Sequence, residues 1–263
     1  MIKASEFVAE LKKTANVKTL YVMGGFGAPA GYGNNRNRYM NNNAYNKQPE
    51  RQKMIQAAAP DTFFFDCVGL CKGTLWGFNR DASRVYGGAS YASNGVPDYD
   101  AKELMFSGCT DQSKDFSHIV PGEFLWLDGH CGIYIGDGLA IESTPAWKNG
   151  VQITAVGNIG SKAGYNSRRW TYHGRLKYVD YKDQPAPVPS DGYKAGNVYT
   201  VSCKGPLRIR KGPGTDKYII DDLYRGDKVL CDGVVKDKDG NTWLKITGYT
   251  CAKYGKDVYI NDN

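Results

Sequence analysis

Three residue types capable of acyl-transfer chemistry stand out by position: the thiol of Cys67, the imidazole of His130 and the carboxylate of Glu142. Cys67 follows Phe63-Phe64-Phe65-Asp66 and precedes a run, Val68 to Phe78, that can form a helix. A cysteine in the first turn of a helix meets unpaired amides and the positive end of the helix dipole, which favour the thiolate. A small buried core residue is the alternative for any isolated cysteine. Gly69, Gly73 and Gly77 recur every four residues in that helix. Each weakens a helix by roughly 1 kcal/mol relative to alanine, a cost that makes sense if a sheet or second helix must approach the bare face closely.

His130 and Glu142 come together by strand register. Phe124–Leu127 and Cys131–Ile135 read as strands, followed by Gly136-Asp137-Gly138 and a strand over Leu139–Ser143. Residues 131, 133, 135, 139 and 141 are apolar and share one face; His130, Gly132, Tyr134, Ala140 and Glu142 share the other. A three-residue loop keeps that parity, setting 135 opposite 139 and Gly132 opposite Glu142, with His130 the diagonal neighbour. A thiol, an imidazole and a polar group that holds the ring are the parts of a cysteine protease site. The other two histidines, His118 and His173, fit surface or structural positions, and neither has so clear a strand-paired carboxylate.

The elements that must position these groups fall in an N-terminal region, 1–180, mixing helical and strand patterns. A Pro-rich segment over 181–193 reads as a semi-rigid linker. Residues 194–263 alternate apolar and charged positions between Gly-Pro, Pro-Gly and Asp-Gly turns, as a small all-β domain does. Residues 27–62 lack periodicity, apart from a helix near 49–58, and are expected to be a long excursion, either a plain insertion or a loop over the site.

The net charge of +7 is spread out: residues 194–263 carry 13 Lys/Arg and 9 Asp/Glu (+4), the remainder 21 and 18 (+3). Such a charge suits solubility or an anionic polymer; with no recognition motif and no basic cluster interleaved with aromatics, no nucleic acid is expected. No apolar run approaches the roughly 20 residues of a spanning helix, so no membrane insertion is expected. The N-terminus lacks a leader-like layout, which fits release from the cytoplasm or a missing leader. The seven cysteines show no zinc spacing, so free thiols, no metal and no cofactor are expected.

Cys67 in Asp-Cys-Val-Gly-Leu, followed by His130-Cys131-Gly132-Ile133-Tyr134-Ile135-Gly136 and Glu142, resembles the NlpC-type papain-like cell-wall cysteine peptidases. Pro121-Gly122-Glu123-Phe124 and Tyr21-Val22-Met23-Gly24-Gly25 look like two further elements of that family. The resemblance implies an α+β papain-like catalytic domain that acts on bacterial peptidoglycan and cuts the stem peptide at a γ-D-glutamyl–diamino acid bond. It also implies that Cys67 attacks, His130 acts as base then acid, Glu142 orients the ring, and Tyr21 and Asp66 contribute to substrate binding. Val68 stands where the family usually has serine, and Glu142, where histidine is commoner, is similar to CHAP-type amidases; an amidase or an inactive wall-binding protein are the alternatives. Leu207-Arg208-Ile209-Arg210-Lys211-Gly212-Pro213-Gly214-Thr215 resembles a bacterial SH3-like barrel, which implies binding to the wall or to its anionic polymers. A modular phage or prophage endolysin, released by a holin, has this architecture.

Overall fold

The computed structural model describes residues 1–182, 193–246, 249–254, 257–258 and 260–262. The chain divides into two compact units, Met1–Gln184 and Pro185–Asn263. Most of the linker expected over 181–193 lies outside the described residues. Tyr181 belongs to the first unit: its hydroxyl donates to the Gly122 carbonyl at 2.8 Å and accepts the Leu176 amide at 3.1 Å.

In chain order the first unit runs β1 (Ile2–Lys3), α1 (Ala4–Thr14), β2 (Thr19–Tyr21), β3 (Phe26–Pro29), α2 (Asn35–Asn41), α3 (Pro49–Ala57), β4 (Phe63–Phe65) and α4 (Cys67–Leu75). It continues through α5 (Ala101–Phe106), β5 (Cys109–Ser113), β6 (Phe124–Leu127), β7 (His130–Gly136), β8 (Leu139–Thr144), β9 (Gly150–Val156), β10 (Ser167–Arg168), β11 (Tyr172–Leu176) and β12 (Val179–Asp180). The unit is thus mixed α/β, with short helices and many strands. Seven strands form one sheet in the order β10-β9-β8-β7-β6-β11-β5, and β2-β4-β3 form a smaller one.

The apolar parity of β7 and β8 decides how these layers meet. Cys131, Ile133, Ile135 and Ile141 join Phe7, Val8 and Leu11 of α1 and Leu70, Cys71 and Leu75 of α4 in the main core. The opposite face is also covered: Tyr134 and Ala140 pack with Leu125, Val156, Trp170 and Phe116. Ile133 pairs with Ile141 and Tyr134 with Ala140, the register expected from sequence. Gly136, however, remains in the strand opposite Leu139 after an irregularity, and only Asp137 and Gly138, both with positive φ, make the turn. A two-residue turn of that kind matches strand twist, and the irregularity restores the parity that the short turn alone would reverse.

The helix after Cys67 stops at Leu75, short of Phe78. Gly77 has φ +91° and serves the chain reversal at the helix end rather than the bare stripe. Gly69 and Gly73 do lie under a close approach, and the approaching group is the backbone of Gly25 and Phe26.

The 27–62 excursion carries more structure than its sequence pattern suggests: α2, α3 and all but the first residue of β3 fall inside it. Tyr39, Ile55, Ala28 and Ala30 bury a small core with Val22 and Phe64. Asparagine side chains replace missing backbone partners there. Asn35 donates to the carbonyls of Pro29 (2.9 Å) and Val85 (3.1 Å), and Asn46 bonds both the amide and the carbonyl of Met23, at 3.1 and 2.9 Å.

The second unit is all-β. It comprises β13 (Val198–Val201), β14 (Leu207–Arg210), β15 (Ile219–Leu223), β16 (Lys228–Leu230), β17 (Gly233–Lys236), β18 (Thr242–Lys245), β19 (Tyr249–Tyr254), β20 (Asp257–Val258) and β21 (Ile260–Asp262). These strands form two sheets, β16-β13-β21 and β15-β14-β19-β18-β17 with β20 on β19; among the described residues the pairings do not close into the single barrel expected. Tyr199, Val201, Leu207, Ile209, Val229 and Leu244 fill the core.

Candidate active site

Cys67 opens α4 immediately after β4, the central strand of the smaller sheet. The Ser143 hydroxyl of β8 donates to the Phe65 carbonyl at 3.0 Å, tying the end of β4 to the large sheet. Asp66 caps the helix: its Oδ1 accepts the Gly69 amide at 2.6 Å and its Oδ2 the Gly24 amide at 2.8 Å. The carboxyl is buried, and burial followed by the nearby Cys67 charge raises its pKa to about 7 against the pull of those two amides. Asp66, expected to contact substrate, is the cap of α4 here and joins the Gly24–Gly25 loop to that helix. The capping signal, Asp three residues before an amide in the first turn, was present in the sequence.

Cys67 is half-buried and reduced. Its thiol is held well below the ordinary value, first by a hydrogen bond with the Cys131 side chain, then, against the cost of burial, by the bond to His130, the His130 charge and the Val68 amide. Cys71, Cys109 and Cys131 are buried, and burial pushes all three upward. The thiol poised for ionisation in the first unit is therefore Cys67.

His130, the first residue of β7, places Nε2 at 2.6 Å from Oε2 of Glu142. With Nε2 so engaged, Nδ1 is the ring nitrogen left to serve Cys67. Burial acts to lower the His130 pKa, but its bonds to Cys67 and Glu142 outweigh burial and raise it. The Trp170 ring lies nearly parallel to the imidazole, 15° apart at 5.7 Å. Thiolate and imidazolium are thus each stabilised by the other.

Glu142 is fully buried and carries more partners than the sequence disclosed. The Thr154 hydroxyl of β9 donates to Oε1 at 2.6 Å, and Arg168 Nε of β10 donates to Oε1 at 3.1 Å and Oε2 at 2.9 Å. Burial raises its pKa, yet His130, Arg168 and Thr154 together hold it below the usual carboxylate value. A carboxylate held anionic against the His130 ring is the consequence. Glu142→Gln is expected to lower kcat roughly tenfold or more. Because Glu142 raises the His130 pKa, the alkaline limb of the pH–rate profile should also move to lower pH. A profile with an unmoved limb would remove Glu142 from that role.

Tyr21 is buried at the end of β2, with its pKa raised first by burial and then by the Cys67 and Asp66 charges, so its hydroxyl stays neutral. Its ring meets Tyr45 of the excursion edge-on at 5.9 Å. Arg51 of α3 donates to the Tyr21 carbonyl and, at 3.0 Å, to Asn149 Oδ1 in the β8–β9 loop. The excursion therefore braces this side of the site.

His173 takes a structural position, as expected, and it has a carboxylate partner that the strand pattern did not show. Nδ1 meets buried Glu123 Oε2, and Nε2 meets the Asp115 carbonyl at 2.8 Å. β11 pairs with β6 across a long sequence separation, so local parity could not reveal the pair. Both ring nitrogens are occupied, which leaves neither for a reacting group and makes the pair structural.

No family model matches this chain, and no curated protein matches it. Among solved structures it is similar to "The crystal structure of Ly7917", at 15% identity over 98% of this chain and 97% of that one, with a TM-score of 0.29. It is also similar to "The crystal structure of Ly7917 with the hydrolyzing product of MDP", at 19% identity over 74% and 88% of the two chains, with a TM-score of 0.24. At such TM-scores these likenesses carry no weight for fold or function here.

Proposed function

We propose that the chain is a cysteine hydrolase of bacterial peptidoglycan, with a papain-like NlpC-type catalytic unit and an SH3-like wall-binding unit. The observation that supports this most is the linked series Cys67–His130–Glu142: a half-buried thiol of lowered pKa at a helix start, an imidazole against it, and a buried anionic carboxylate on the ring's far nitrogen. The Cys67 thiolate attacks an amide carbonyl carbon, and the oxyanion forms beside the Cys67 amide, one of those a helix start leaves unpaired. His130 then gives its proton to the leaving amine as the C–N bond breaks, leaving a thioester. Water, deprotonated by His130, attacks the thioester, releases the acid and restores the thiol. The neutral Tyr21 hydroxyl is a donor for substrate or oxyanion.

The bond we assign is the γ-D-glutamyl–diamino acid bond of the stem peptide. Mass spectrometry of fragments released from purified walls tests this directly. New amino termini on the diamino acid support it; release of intact stem peptide from the sugar would instead make the enzyme an amidase. For the second unit, a chain ending at residue 184 should fail to sediment with walls that pull down the full chain. Equal sedimentation would deny it a targeting role.

A further inference from the structure

The guanidinium of Arg168 is only half used by Glu142. Nε makes both bonds to the carboxylate, whereas Nη1 and Nη2 have no hydrogen-bond partner among the described residues. Its side chain is 21% exposed, although it anchors a carboxylate that is fully buried. The guanidinium also lies 4.9 Å from the ring centre of Trp147 and 5.8 Å from that of Trp170. Trp147 is 46% exposed, so the ring face beside the guanidinium edge is open to a ligand from solvent. Its φ of +55° is one that a bulky residue rarely adopts.

Trp147 does not hang on a loose loop. Buried Gln152 donates to the Ala146 carbonyl at 2.9 Å and accepts the Lys148 amide at 3.4 Å, and Asn149 is held by Arg51 at 3.0 Å. A fixed aromatic ring beside a guanidinium with two free donor nitrogens is suited to a planar carboxylate, which takes two parallel N–H bonds. The same guanidinium is one carboxylate removed from His130. His130 must deliver its proton to the departing amine, so the amine leaves on the His130 side of the thiol. That amine meets the ring at Nδ1, and Arg168 holds Glu142 at Nε2, so a leaving residue that extends from the thiol across the imidazole runs toward the free nitrogens of Arg168.

We propose that Arg168 and Trp147 form a specificity subsite for a free carboxylate on the leaving-group side of the scissile amide. This rests on the cysteine-hydrolase function above and adds to it a property of the substrate. The carboxylate has two sources, the terminal α-carboxylate of the leaving residue or an acidic side chain on it.

Three synthetic peptides separate these sources: one with only the α-carboxylate free, one with only a side carboxylate free, and one with both as carboxamides. The full chain should favour one carboxylate peptide over the double amide by about tenfold or more in kcat/KM. Arg168→Gln lowers turnover on every peptide through Glu142, but it should also collapse that ratio towards one, while Arg168→Lys retains part of it. Trp147→Ala should raise KM more for the favoured peptide than for the double amide. No preference in the full chain, or an Arg168→Gln loss equal for all three peptides, would overturn the subsite and leave Arg168 as a support for Glu142 alone. If none of the peptides is cleaved, purified walls are the control: walls left intact as well mean that the hydrolase function fails. Calorimetric binding to the Cys67→Ala chain then decides the subsite: a carboxylate preference that Arg168→Gln removes upholds it, and equal binding or no binding overturns it.

Discussion

Replacing Cys67 with alanine is expected to lower wall hydrolysis by about 10⁴-fold or more, because what remains is binding and oxyanion stabilisation without a nucleophile. The fold should survive. Cys67 is half-buried, and alanine is a good residue for a helix start that Asp66 already caps. The wild-type pH profile follows from two shifts of opposite sign. The Cys67 thiol is lowered, so activity should be lost only as pH falls through that depressed value and the thiolate takes up a proton. The His130 pKa is raised, so the imidazolium persists above the usual histidine range and activity falls as pH rises through it. A broad plateau between the two limbs is the expected result. Alkylation gives a second readout: Cys67 should react with iodoacetamide at acidic pH, where the buried Cys71 and Cys131 thiols, both shifted upward, do not. Since the Cys67 charge helps raise the His130 pKa, Cys67→Ala should also lower the histidine's NMR titration midpoint. Equal clearing of walls by the alanine variant would end the catalytic assignment.

What could be seen in the sequence, and what could not, divides by range. The helix start at Cys67 and the 133–141 register that brings His130 to Glu142 are local, set by side-chain alternation and one short turn. The glycine spacing also announced a close approach, though Gly77 belongs to the helix end. Arg168 and Thr154 were out of reach because their positions depend on β9 and β10 joining the sheet beside β8, and no spacing in the sequence carries that pairing. The Glu123–His173 pair was hidden for the same reason, through β11 and β6. Within the excursion, polar residues do work that apolar periodicity cannot signal. Asn35 and Asn46 close its backbone bonds, and a single buried tyrosine, Tyr39, packs against Phe64 at 5.6 Å. The Asp66 cap is local as well, since an aspartate before a helix start readily accepts a first-turn amide.

Gly69 sets up a contest between two effects of opposite sign. Helix propensity alone makes Gly69→Ala stabilising by roughly 1 kcal/mol. Packing opposes it: a Cβ at Gly69 would lie 1.9 Å from the Gly25 carbonyl oxygen and 2.8 Å from Asp66 Oδ1. Neither neighbour can step aside cheaply. Gly25 O accepts the Asp66 amide at 2.9 Å, and the Asp66 carboxylate is the helix cap that also holds Gly24. Overpacking of a tight interior costs about 1–3 kcal/mol, and this clash falls on backbone and a buried hydrogen-bonded carboxyl, so a net loss of about 3 kcal/mol or more is expected. Urea unfolding of the first unit, with the midpoint followed at constant slope, measures it. Gly73→Ala should behave alike, its Cβ meeting the Phe26 carbonyl oxygen at 2.3 Å. Gly205→Ala, where nothing lies within 4 Å, should change little. The loss should reach the site as well, since any shift of α4 away from Gly25 moves the Cys67 thiol relative to His130, which is anchored on a different sheet. A Gly69→Ala variant as stable as the parent would mean that the Gly25 backbone does not press on α4, and the glycine spacing would need another cause.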